Sequence, residues 1–127
     1  MPPASFPSYF PHGCPPADSE DASGVVFRVV RDCTITDDDF KSYHELDLGR
    51  AVKQCRRCGV SVYATLGEAR HRMKLSPRIG KAIARGTLTA AAGKMKLTDP
   101  ASGHVEWWPY EHVNRRSYFN DPEPPCP

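Results

Sequence analysis

Six of the thirteen prolines of this 127-residue chain fall within residues 1–16 and four within residues 122–127. Proline offers no amide donor and fixes φ, so it is excluded from helix interiors and central strands. The stretch Cys14-Pro15-Pro16-Ala17-Asp18-Ser19-Glu20-Asp21 adds acidic and polar side chains with nothing to bury. The distribution predicts disordered tails over 1–23 and 120–127, dispensable for folding, and one domain over 24–119 that carries the core. A domain of that size builds one modest core, and the length excludes two packed domains.

Hydrophobic residues make up 39% and the mean hydropathy is −0.54. No apolar run approaches the roughly 18 residues needed to cross a bilayer, so no membrane partner is expected. The start Met1-Pro2-Pro3-Ala4-Ser5-Phe6-Pro7 lacks the basic and apolar regions of a secretory signal. That assigns the five cysteines to a reducing cytoplasm and argues against a disulfide framework.

The net charge of +2 conceals an asymmetry: residues 50–96 hold twelve Lys or Arg against one acidic residue, with acidic segments on both sides. A basic middle of this kind attracts phosphate, in nucleic acid or in a dinucleotide pyrophosphate. Alternatively it is a solvated face balanced by the acidic flanks.

Val25-Val26-Phe27-Arg28-Val29-Val30-Arg31 is β-branched and apolar on both faces, which predicts a central strand. Thr36 offers an N-cap to a short acidic helix reaching Tyr43. Val60-Ser61-Val62-Tyr63-Ala64 alternates as a second strand, and Thr65 with Glu68 forms a capping box for a helix that ends near Leu75, before Ser76-Pro77. A turn, a strand over 82–89, a strand over 94–98, a turn at 99–103 and a strand over 104–108 read as a C-terminal β-meander. The fold class is therefore α+β: a single small domain, mostly antiparallel sheet, with one or two helices packed on it.

Four groups of residues point to chemistry. Cys55-Arg56-Arg57-Cys58-Gly59 has the spacing that lets two thiolates bind one zinc ion, although a single motif of this kind favours two free cysteines in a loop. Arg28 lies between Val26 and Val30, and a guanidinium on an apolar strand face needs an anion: a ligand phosphate, or one of Glu45, Asp47 and Glu106. Ser61 and Tyr63 share one face of their strand. Glu106 shares a strand face with His104 and Trp108, placing a carboxylate beside an imidazole; the bland alternative is core tryptophans with a solvated polar pair.

The order Phe27-Arg28-Val-Val-Arg, Asp39-Phe40-Lys-Ser42, Gly59-Val-Ser-Val-Tyr63 with Glu68-Ala69, Ile83-Ala-Arg-Gly-Thr-Leu88 and His104-Val-Glu-Trp-Trp108 resembles small uncharacterised bacterial proteins. Their layout is similar to that of the ADP-ribosyltransferase superfamily of bacterial toxins. The resemblance covers about residues 25–119 and implies an NAD-binding protein of toxin or defence type acting on a protein or nucleic-acid target. It implies that Arg28 holds NAD, that Ser61 or Tyr63 shapes the nicotinamide pocket, and that Glu106, beside His104, is the catalytic carboxylate. The sequence departs from the family in having no Ser-Thr-Ser triplet after the second strand and no acidic-x-Glu pair at Glu106.

Two other classes compete with this enzyme. One is a non-catalytic RNA- or DNA-binding module using Arg56, Arg57 and Arg72, with Tyr63, Trp107 or Trp108 exposed for stacking. The other is a protein-interaction partner of antitoxin or immunity type whose acidic tails fold on binding. Convergence of Arg28, Tyr63 and Glu106 on one cleft distinguishes the enzyme.

Overall fold

The computed structural model describes residues 5–46 and 54–122. Its strands are β1 (Glu20–Asp21), β2 (Gly24–Val30), β3 (Val60–Tyr63), β4 (Ala82–Leu88), β5 (Gly93–Asp99), β6 (His104–Pro109) and β7 (Phe119–Pro122). Its α-helices are α1 (Tyr43–Leu46), α2 (Cys55–Cys58) and α3 (Leu66–Leu75). The strands form one antiparallel sheet in the order β1-β5-β6-β3-β2-β4-β7. The α+β expectation is met, and β2 is central as its two apolar faces require. Among the described residues no helix is long and apolar enough to cross a membrane.

Alternation sorts the side chains. Val60 and Val62 of β3 join Val105 and Trp107 of β6 in the main core, with Val26, Val30, Phe40, Leu88 and Phe119. The register Ser61↔Glu106 and Tyr63↔His104 puts the intervening residues on the other face. There α3 lays Leu66, Ala69 and Met73 over Phe27, Val29, Tyr63 and Ile83. The cap at Thr65 forms as expected: its hydroxyl oxygen accepts from the Glu68 amide at 3.1 Å. The helix stops at Leu75, ahead of the turn Pro77–Ile79.

Two expectations need correction. Strands β5 and β6 form the predicted hairpin, but β4 does not continue the meander; it pairs along its length with β2, and then with β7. The turn at Ala90–Ala92 carries the chain across to the far half of the sheet. The folded unit also extends beyond 24–119. Strand β1 pairs with β5, and β7 runs to Pro122. Phe6 packs on Tyr110 with ring centroids 4.8 Å apart, and Tyr9 stacks on His44 at 4.5 Å. A proline-rich segment needs no ladder to lie against a surface when aromatic side chains supply the burial. Its acidic residues find cations: Asp21 pairs with Lys94 at 2.6 Å and Asp18 with Lys96 at 2.7 Å. Part of the basic middle is thus balanced within the chain. The ends of the two expected tails, 1–4 and 123–127, lie outside the described residues.

The cysteines correct a third expectation. Cys14 and Cys55 form a disulfide across 41 residues, and Cys33 is also disulfide-bonded.

Candidate functional site

The joint between β2 and β3 is short. Their register comprises one pair, Phe27↔Tyr63, against seven for β2 and β4. Where the ladder stops, Arg28 fills in: its Nη1 donates to the Ser61 carbonyl at 2.8 Å and its Nε to the Asp39 carbonyl at 2.9 Å. The side chain therefore satisfies one backbone acceptor of β3 where the ladder has stopped and one of the turn Asp37–Phe40. A guanidinium has five N–H donors. Those two bonds leave three of them on a side chain that lines the cleft. Burial pushes its pKa down, with Tyr43, Asp39 and Glu106 opposing. None of the anions considered from sequence is its ion-pair partner among the described residues: Glu45 pairs with Arg115 at 2.6 Å, and Asp47 lies outside them.

The cleft at this splay has a volume of about 790 Å³, within the range of small-molecule sites. Arg28, Ser61, Tyr63, His104 and Glu106 all line it, as do Arg56, Arg57 and Arg72, together with Arg78. The structure thus brings together the sequence-predicted binding and catalytic residues. Among the described residues the carboxylates on the same lining are Glu68, Asp99 and Glu106, against five arginines.

Glu106 is 6% exposed, with no hydrogen-bond partner for Oε2 among the described residues. Burial pushes its carboxyl up to about 7, against the pull of Arg28 and Arg56. Gly59 makes this placement workable, because a Cβ there would collide with Glu106 Oε2. His104 Nε2 approaches Glu106 Oε1 at 3.9 Å and lies 2.9 Å from Ser61 Oγ. Its Nδ1 meets the Thr98 hydroxyl. Burial pushes the His104 pKa down, and Arg72 and Arg28 add to the shift. Tyr63 stands edge-on to His104 with centroids 5.6 Å apart.

Other expected features do not assemble. The Cys55 sulfur is bonded to Cys14 and is no longer a thiolate for zinc, and Cys58 is buried. Trp107 and Trp108 are 0% and 2% exposed, with their indole N–H groups bound to the Ala92 and Cys55 carbonyls. They are core, and Trp108 is not among the described residues that line the cleft with Arg28 and Glu106.

Sequence reasoning missed Gly59, Arg78 and Thr98. Thr98 sits at the register shift between Leu97 and Asp99, and a bulge of this kind re-aims a side chain without a sequence signal. Comparison with protein-family models, curated proteins and solved structures finds no match.

Proposed function

We propose that the cleft binds NAD and that the chain is an ADP-ribosyltransferase-like enzyme. It breaks the bond between nicotinamide and ribose and passes ADP-ribose to a protein or nucleic-acid acceptor, or to water. The observation that carries the reading is the buried carboxyl of Glu106 on the same cleft as Arg28, its Oε2 without a hydrogen-bond partner among the described residues. Arg28, Ser61 with Tyr63, and Glu106 come from neighbouring strands β2, β3 and β6.

Each residue has work suited to its chemistry. The free donors of Arg28, with Arg56 and Arg72 nearby, meet the pyrophosphate. Tyr63 walls the nicotinamide. The ionised Glu106 accepts from a ribose hydroxyl and faces the positive charge that grows on the sugar as the glycosidic bond loosens. Because the carboxyl ionises at about 7, turnover is expected to rise with pH through that value.

Nicotinamide release from NAD tests the reading. Wild type is expected to release it, and Glu106→Gln to lose about 100-fold or more in kcat with NAD affinity retained, because the carboxylate acts mainly on the transition state. A Glu106→Gln protein as active as wild type contradicts the assignment.

A non-catalytic nucleic-acid module is the second reading. The three arginines Arg56, Arg57 and Arg72 on one cleft favour it, whereas burial of both indoles removes two of its three stacking rings. Affinity for RNA or DNA that falls steeply with salt, without NAD turnover, would select it. The disulfides bear on the setting, since a reducing cytoplasm disfavours such bonds; the disulfide-bonded form suits an oxidising compartment.

A further inference from the structure

A hydroxyl has one proton to donate. The Thr98 hydroxyl lies 3.1 Å from the carbonyl oxygen of His104, which can only accept, and also against Nδ1 of the ring. With its proton given to the carbonyl, the hydroxyl is an acceptor toward the imidazole and the ring proton sits on Nδ1. Nε2 is left bare, 2.9 Å from Ser61 Oγ, and takes a hydrogen bond from that hydroxyl. The Ser61 oxygen keeps its lone pairs for a group entering the cleft.

We propose that Thr98, His104 and Ser61 form a proton relay that deprotonates the hydroxyl acceptor of the transfer reaction; the proposal rests on the NAD reading above. The acceptor oxygen bonds to the ribose carbon as the ribose–nicotinamide bond breaks and its electron pair leaves with nicotinamide. The acceptor proton passes to Ser61 Oγ while the Ser61 proton passes to His104 Nε2. Ser61 ends as a hydroxyl again, and His104 ends as an imidazolium that returns its proton to water. His104 is the base, and Thr98 is a positioning residue that acts by fixing the tautomer.

The surroundings favour a neutral ring before the transfer, and two carboxylates temper that bias once the ring is charged. Arg28 from β2 and Arg72 from α3 oppose a proton on the ring, as does its burial. Asp99, on β5, favours it, and Glu106 Oε1 lies 3.9 Å from Nε2. Tyr63 from β3 contributes its ring edge-on. A carboxylate that ionises near neutral pH therefore faces the imidazolium as it forms.

The test reads the tautomer directly. Nitrogen-15 NMR of the full chain at pH 7.5 is expected to show His104 with Nδ1 protonated and Nε2 bare. Thr98→Val, close in shape to the native residue, is expected to move the ring toward the Nε2–H form and to lower kcat for nicotinamide release by about 100-fold with KM unchanged. Thr98→Ser, which keeps the hydroxyl, is expected to restore both. Protonated Nε2 in an active wild type, or a Thr98→Val protein with wild-type kcat, overturns the relay alone. A wild type that releases no nicotinamide overturns the NAD reading and, with it, the reaction assigned to the relay.

Discussion

Glu106 illustrates how a site residue works against the stability of its fold. Its folded pKa of about 7 stands above the ordinary 4.5, so between those values the folded chain holds a proton that the unfolded chain releases. The stability contribution of this group is fully present below about pH 4.5 and is lost as pH rises through about 7. At pH 8 the loss amounts to about 3 kcal/mol. Glu106→Gln is therefore expected to be more stable than wild type by about that amount at pH 8 and equal to it near pH 4, measured by urea unfolding. A variant no more stable at pH 8 would mean that the carboxylate is already well satisfied. The sequence showed His104 and Glu106 on one strand face, because alternation is enough to place them. It did not show the absent Cβ at Gly59 that admits the Glu106 carboxylate, since that approach brings the residue after α2 against a residue of β6 distant in sequence.

Strands and helices with their own periodicity were legible at the scale of the element: β2, β3 and α3 fall where alternation and the Thr65 cap put them. Pairing between distant segments was not. Nothing local tells β4 to lie beside β2 and not beside β5, and nothing in Pro15-Pro16 says that the segment is tied down at Cys14. The N-terminal segment is consequently expected to matter for stability, contrary to what its composition implies. In a chain-entropy account, closing a loop of the 41-residue separation between Cys14 and Cys55 contributes about 4 kcal/mol. Cys14→Ser should lower the unfolding free energy by an amount of that order, and removal of residues 1–19 should lower it further by exposing the surface under Phe6 and Tyr9. Unchanged melting temperatures for both variants would restore the expectation of a dispensable tail.

Over the whole molecule, the described part of the basic middle includes two distinct groups. Lys94 and Lys96 are held by Asp21 and Asp18, while Arg56, Arg57 and Arg72 gather with Arg28 on the cleft. Charge counted along the chain did not reveal this, because convergence is a property of the folded sheet. A field of that sign predicts that NAD affinity falls as ionic strength rises, and that Arg72→Glu weakens binding several-fold without unfolding the chain. An affinity indifferent to both would place the ligand elsewhere. The most direct measurement is a titration of the wild-type chain with NAD, followed by amide and side-chain NMR shifts. Binding at millimolar concentration or below, with shifts concentrated at Arg28, Ser61, Tyr63, His104 and Glu106, is the predicted result; no binding at that concentration, or shifts gathered away from these residues, contradicts the account.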